Sequence, residues 1–215
     1  MSKSNNVPKT VAFAITSKCE EECSCCFRKS IKDVTLKEFQ KKFESTLKSN
    51  PSLQKIVITG GNPELNKDFW AICDLVKSKG IKLKVHSNYS NKNSWPRYLS
   101  ADEVTIPIDS MHEQPFRSEG ASKNFIESLK YFLGKTRIQV LTVVSKKNLK
   151  EIEAIKGFLD SKGFFERNNW KIFRLVGVKG LKKLELTDAE WEKIKDRFHE
   201  RNVAFVDNVL ELELN

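Results

Sequence analysis

Six short runs rich in β-branched residues recur along this chain, and segments with helical apolar spacing stand between them. The runs are TVAFAIT (10–16), KIVITG (55–60), KLKVHSN (82–88), VTIPID (104–109), IQVLTVV (138–144) and WKIFRLVGV (170–178). The first intervening segment, TLKEFQKKFESTL, opens with Thr35 and Glu38 three apart, a capping-box pattern. The segments after the second, fourth and fifth runs end at Gly80, Gly134 and Gly163, natural helix C-caps. TDAEWEKIKDRFHERN opens with a second capping box, Thr187 and Glu190. The connection after KVHSNYS is irregular, and only YLSADE there looks helical. Trp95 and Tyr98, in NSWPRYL, are expected to pack at the barrel bottom.

Strand followed by helix, six times over, predicts a parallel α/β sheet. Runs such as IQVLTVV are apolar without interruption, so both faces must be covered, one by helices and the other by barrel packing. An open sheet or a partial barrel satisfies the pattern. The terminal VAFVDNVLELELN is expected to add an edge strand or a short hairpin. In either architecture ligands sit at the C-terminal ends of the strands. That rim is where the small and polar residues fall. A cysteine-rich loop follows the first strand, GGNP the second, SNYS the third, DS the fourth, SKKN the fifth and GVKG the sixth.

A length of 215 residues suits one domain with a real core, without cysteines as staples. No stretch of about 18 apolar residues occurs, so no membrane span is expected. MSKSNNVPKT has no apolar core of a secretory signal, which points to the cytoplasm, where thiols stay reduced. Close-set cysteines in that setting are metal-binding or catalytic more often than disulfide-bonded. The net charge of +10 favours acidic or phosphate-rich partners, but the lysines are spread over helices such as EWEKIKDRFHERN. Solvated helix faces therefore outweigh a nucleic-acid footprint, which is only weakly supported.

Four of the five cysteines lie in SKCEEECSCCFRKS. Cys19, Cys23 and Cys26 form C-x3-C-x2-C. Three thiolates on a wrapping loop can ligate three irons of a cubane cluster and leave the fourth iron open. A structural zinc site needs four ligands, usually in two separated pairs, and no second pair follows. Chance cysteines without metal are the third option. Cys73, in DFWAICDL, has the setting of a core residue.

C-x3-C-x2-C after the first strand, followed by ITGGNPEL after the second, resembles the radical S-adenosylmethionine (radical SAM) superfamily. The resemblance runs over residues 10 to 180, with 181–215 as a C-terminal helix and edge strand of the same single domain. It implies a partial (β/α)6 TIM-like barrel with parallel strands. It also implies a [4Fe–4S] cluster on Cys19, Cys23 and Cys26, whose open iron chelates the amine and carboxylate of SAM. VHSNYS looks like the family's third-strand end, and VTIPIDS like its fourth. LTVVSKKNLKEIEAI is similar to the fifth strand and helix of the subgroup with molybdenum-cofactor and peptide-modifying enzymes.

By that resemblance Gly60, Gly61, Asn62 and Pro63 meet the methionine end of SAM, with Asn62 accepting from its amine. Ser87, Asn88, Asp109 and Ser145 lie where the family contacts ribose or methionine, and Val176 and Gly177 where backbone meets adenine. The implied chemistry is reductive cleavage of SAM to a 5′-deoxyadenosyl radical that abstracts hydrogen from a substrate. Flavodoxin or ferredoxin is the implied reductant. The substrate is not readable: a small molecule, a nucleotide, RNA or a peptide all fit. A glycyl-radical-enzyme activase and a non-enzymatic iron–sulfur protein are the alternatives, and GGNP argues against the latter.

Two departures stand out. The position before the third cysteine is usually aromatic, but here it is Cys25, with Phe27 later, so Cys25 competes with Cys26 as third ligand. Asn62 replaces the usual acid and removes a negative charge facing the SAM ammonium. His86, His112, Arg117, Arg174 and Lys179 are lesser rim candidates, with Arg117 able to pair with a carboxylate. The absence of cysteines beyond Cys73 implies no auxiliary cluster.

Overall fold

The computed structural model describes residues 9–26, 30–112 and 116–207. Phe27 and the last residues of the expected C-terminal strand or hairpin lie outside them. Contacts gather the described chain into two compact units, 9–20 with 30–87, and 21–26 with 88–207.

The first unit holds β1 (Thr10–Ala14), α1 (Leu36–Ser49), β2 (Lys55–Thr59), α2 (Phe69–Ser78) and β3 (Lys82–His86). β1 pairs parallel with β2, and β2 with β3, in registers that set Ala12 beside Val57 and Val57 beside Lys84. Ile56, Val57 and Ile58 are all buried, as a strand covered on both faces requires. The capping box of Thr35 and Glu38 starts α1 as expected. Phe39 and Phe43, one turn apart, are fully buried, and the Phe39 ring meets Phe13 at 5.1 Å. Cys73 is a core residue of α2, and Gly80 takes the left-handed conformation just past that helix.

The second unit contains α3 (Trp95–Tyr98), β4 (Glu103–Pro107), α4 (Ala121–Phe132), β5 (Arg137–Val144), α5 (Glu151–Asp160), β6 (Asn169–Arg174), α6 (Asp188–Arg197) and β7 (Val203–Val206). β4, β5, β6 and β7 pair in that order, all parallel. β7 is the extra edge strand expected from the sequence. Thr187 and Glu190 form the second capping box, and Gly134 and Gly163 turn left-handed after α4 and α5. The helical turn expected at YLSADE lies earlier, on Trp95–Tyr98, because Pro96 suits the first turn of a helix. Trp95 and Tyr98 are buried in packing, around Tyr89, which follows the C-terminal end of β3, and Phe132, with Tyr89 and Tyr98 at 5.0 Å. Among the described residues no helix is long and apolar enough to cross a membrane.

The loop after β1 carries the cysteines, and its neck is closed by hydrogen bonds. The Val34 amide donates to Ile15 O at 2.9 Å. Asn66, buried 51 residues from Ile15, donates through Nδ2 to Ile15 O at 2.8 Å and Val34 O at 2.9 Å. Its Oδ1 accepts from the Asp68 amide at 2.9 Å. One carboxamide thus fixes both legs of the loop and the entry to α2. Asn66→Ala removes all three bonds and is expected to destabilise the protein by at least about 2 kcal/mol, since buried groups left unpaired cost ~1–3 kcal/mol each. Asn66→Asp, which keeps the acceptor and loses both donors, is expected to be comparably destabilised; denaturant titration reads both.

Candidate active site

Strand ends fix every residue of the expected rim. At the end of β2 the backbone turns back onto the start of the cysteine loop. The Gly61 amide donates to Thr16 O at 2.8 Å and the Asn62 amide to Lys18 O at 2.7 Å. A Cβ on Gly60, whose φ is +154°, would stand 2.3 Å from Thr16 O, and one on Gly61 would stand 2.1 Å from Lys18 O. Backbone oxygens cannot yield to that, so glycine is required here by chain-to-chain approach. Across the loop's root, Thr16 Oγ1 donates to Asp33 at 2.6 Å and Lys18 pairs with the same carboxylate at 2.8 Å.

Asn62 caps a short turn at Pro63–Leu65, and its side chain is buried. Its Nδ2 donates to both oxygens of Glu20, at 2.9 and 3.1 Å, and its Oδ1 accepts from Ser87 Oγ at 2.9 Å. Glu20 belongs to the cysteine loop, so this bond is a second tie between that loop and the end of β2. Sequence spacing gave no sign of it, because the partners are 42 residues apart.

In the second unit, Asn88 is buried and its Nδ2 finds no partner. Tyr89 follows in a left-handed conformation, φ 53°, which a bulky residue adopts only when its surroundings hold it. Here the ring is locked among Tyr98 and Phe132, and Trp95 Nε1 donates to the Tyr89 carbonyl at 3.0 Å. Burial pushes the Tyr89 hydroxyl pKa above its usual value.

Asp109, at the exit of β4, is fully buried. Its Oδ1 accepts from the Val143 amide at 2.7 Å and its Oδ2 from Arg117 Nε at 2.9 Å. The Arg117 side chain is only 13% exposed, and its Nη1 reaches Cys23 Sγ at 3.6 Å. Burial alone would lower the Arg117 pKa; Asp109, then Cys23 and Cys25, overcome that and raise it. Ser145 is buried and bound to Asn148, whose Oδ1 accepts from the Ser145 amide and hydroxyl at 2.8 and 3.1 Å. Asn148 Nδ2 donates to Asp109 O and Val143 O, tying the β4 exit to β5. Gly177, left-handed at φ 72°, donates its amide to Glu185 at 2.9 Å. Arg174 pairs with Asp188, and His112 and Ser110 both meet Glu151.

The cysteines separate clearly. Cys26 is exposed, and Cys19 and Cys23 are half-buried. Cys23 Sγ donates to Glu21 at 3.6 Å. Cys25 is 7% exposed and packs in an apolar cluster with Phe116, Val143, Phe173 and Leu175. Burial, followed by the Asp109 charge, pushes its thiol up to about 12. Among the described residues, no three His, Cys, Asp or Glu side chains are gathered into a group that could hold a metal ion.

The sequence model of the radical SAM superfamily matches residues 13–159. The chain belongs to the radical SAM superfamily. An S-adenosylmethionine-dependent nucleotide dehydratase of Selenomonas ruminantium is 33% identical over 128 residues, 56% of this chain and 46% of that protein. A Methanocaldococcus jannaschii protein assigned as a glycyl-radical enzyme activating enzyme is 26% identical over 175 residues, 76% of this chain and 65% of that protein. The chain therefore spans about half to two thirds of the length of these curated relatives. Streptococcus suis SuiB bound to S-adenosylmethionine superposes with a TM-score of 0.72 at 16% identity, over 93% of this chain and 50% of SuiB. That likeness gives the fold: the partial TIM-like barrel of parallel strands that the sequence predicts.

Thiols are the donor type an iron–sulfur cluster takes, but the described side chains are not drawn together as a ligand group. The cysteine loop offers three thiols that are not fully buried, Cys19, Cys23 and Cys26, and the unpartnered Asn88 Nδ2 is a buried donor at a strand end expected to contact SAM. Two measurements test this radical SAM geometry. In the reduced, metal-free protein, iodoacetamide is expected to modify Cys26 first and to spare Cys25 and Cys73 until denaturant is added; peptide mass spectrometry reads the order, and early labelling of Cys25 would contradict its inward placement. Arg117→Ala leaves Asp109 as an unpaired buried charge and is expected to cost about 3–5 kcal/mol in unfolding experiments.

Proposed function

We propose that this chain is a radical SAM enzyme in which Cys19, Cys23 and Cys26 hold a [4Fe–4S] cluster and the turn Gly60–Pro63 receives the methionine end of SAM. The observation that carries this reading is the direct backbone pairing of the GGNP turn with the start of the cysteine loop, Gly61 to Thr16 and Asn62 to Lys18. Two motifs some forty residues apart are thereby held side by side. When bound, the cluster and SAM supply a 5′-deoxyadenosyl radical that abstracts hydrogen from the substrate.

The chain's own groups do the holding. Asn62 carries no charge, but Glu20 lies on its amide, so a carboxylate is retained beside the place assigned to the SAM ammonium. Asn88 Nδ2 supplies a free donor for ribose or carboxylate oxygen. Ser87 acts on SAM through Asn62, whose oxygen it already engages. Asp109 and Ser145 are committed to Arg117, Val143 and Asn148, so they shape the rim. Val176 and Gly177 offer backbone to adenine. Cys26 is favoured over Cys25 as third ligand, because Cys26 is exposed while the Cys25 side chain is turned into the apolar cluster. The single-domain organisation, cytoplasmic setting and flavodoxin or ferredoxin reductant belong to the same proposal. A glycyl-radical-enzyme activase is the second reading, favoured by the likeness to the M. jannaschii protein.

Anaerobic reconstitution with iron and sulfide, then dithionite and SAM, is expected to yield 5′-deoxyadenosine. A fully loaded protein that releases none would remove the main support for the enzyme. Iron counting on single variants is expected to show loss of the cluster in Cys19→Ala, Cys23→Ala and Cys26→Ala and its retention in Cys25→Ala; loss in Cys25→Ala alone would reverse the ligand assignment.

A further inference from the structure

The segment after β6, VKGLKKL (178–184), is built with a three-residue period. The Leu181 amide donates to Val178 O at 3.0 Å, the Leu184 amide to Leu181 O at 2.8 Å and the Glu185 amide to Lys182 O at 3.2 Å. Gly180 turns left-handed between them, φ 84°. In such tight turns residues three apart share a side. Val178, Leu181 and Leu184 accordingly form one face, and all three pack on the apolar cluster that contains Cys25, with Cys23 on the same cluster. Lys179, Lys182 and Lys183 stand between these apolar positions, and all three are exposed. The Lys146 amide bonds to Leu184 O at 2.9 Å, which sets a fourth exposed lysine beside the end of the ridge.

The acids around this ridge are occupied. Glu185 accepts from the Gly177 amide, Glu190 caps α6, and Asp188 pairs with Arg174. Lys179, Lys182 and Lys183 have no ion-pair partner among the described residues. The two kinds of cation are divided by role. Arg117 and Arg174 are little exposed and pair with carboxylates, the buried Asp109 and the surface Asp188, while the exposed cations of this segment are lysines. Lysine is a compact point charge that binds phosphate without needing a fixed geometry.

We propose that this lysine ridge is the phosphate-binding element of a nucleotide substrate. The proposal deepens the radical SAM reading and rests on it for one point, that the cysteine loop under the ridge is the reaction centre. The ridge is short: from Lys179 to Lys183 is four steps of chain, at most about 14 Å. That length suits the linked phosphates of one nucleotide. A groove for single-stranded nucleic acid would have to follow the backbone over roughly 4–16 nucleotides. Because the apolar side of the segment packs on the cluster that contains Cys25 and that Cys23 also borders, a nucleotide anchored by its phosphates on these lysines lies within reach of the cysteine loop.

The test uses the full chain with its cluster reconstituted without oxygen. Binding of CTP and of ATP is followed by calorimetry, with inorganic triphosphate and cytidine as competitors. The expected result is that triphosphate displaces the nucleotide and cytidine does not. Replacing Lys179, Lys182 and Lys183 together with Gln is expected to weaken binding at least about tenfold, with iron content and SAM affinity unchanged, and the triple Arg variant to restore it. The proposal is overturned if neither nucleotide binds, if the Gln variant binds as well as the parent, or if only single-stranded RNA or an acidic peptide binds and triphosphate fails to displace it. Absence of iron and SAM binding alongside intact triphosphate competition would sink the radical SAM reading and leave the ridge; iron and SAM binding with lysine-independent nucleotide affinity would do the reverse.

Discussion

A parallel strand that ends inside a protein leaves backbone carbonyls facing the rim with no ladder partner, and each must be paired or it costs free energy. Buried carboxamides meet that constraint here, and the loops depend on it. Asn66 serves Ile15 O and Val34 O, and Asn148 serves Asp109 O and Val143 O. Each also accepts from a nearby amide, Asp68 or Ser145. Only a side chain with two donors and an acceptor can close such a three-way junction. A carboxylate would turn its charge on the carbonyls, and an apolar residue would leave them bare. The shape of the rim is therefore set by polar satisfaction, and the strands beneath supply the apolar burial.

The same economy governs charge. Asp109 and Arg117 are both withdrawn from water, and the pair is tolerable because Asp109 has further hydrogen bonds, from the Val143 amide on one oxygen. Arg117 then extends from this anchor to Cys23 and is also 5.3 Å from the Phe125 ring. Its guanidinium is thus fixed on three sides, and the part of the loop carrying Cys23 is positioned by a group that cannot swing away. Exposed lysines work differently, since they lose little by reaching for a ligand and nothing by waiting in water.

The features legible in the sequence are those encoded locally. Two capping boxes, the glycines after α2, α4 and α5 and the positions of the six strands all depend on residues within a few positions of each other. The features that were not legible depend on partners far apart in the chain. GGNP is visible as a motif, yet the reason for its glycines is the approach of Thr16 and Lys18 from the loop after β1. Asn66, Asn148 and Glu20 are ordinary polar residues until their partners 51, 39 and 42 positions away are known. Tyr89 breaks the local rule for a bulky residue and keeps its left-handed backbone through an aromatic cluster drawn from two helices.

Cys25 shows how placement decides chemistry among identical side chains. Four thiols within eight positions are equal by composition. The amide of Ser24 donates to Phe116 O at 2.9 Å and that of Cys26 to Cys23 O at 3.0 Å, which folds a turn at Ser24 and Cys25. That turn sends the Cys25 side chain into the cluster of Phe116, Val143, Phe173 and Leu175 while Cys26 stays at the surface. Inside that cluster the thiol is placed as a small apolar residue, and burial raises the cost of ionising it there. An aromatic residue at the position would fill the same inward slot with more volume. Phe116 and Phe173 supply the aromatic bulk of that cluster, and Cys25 packs between the loop and these rings as a small side chain.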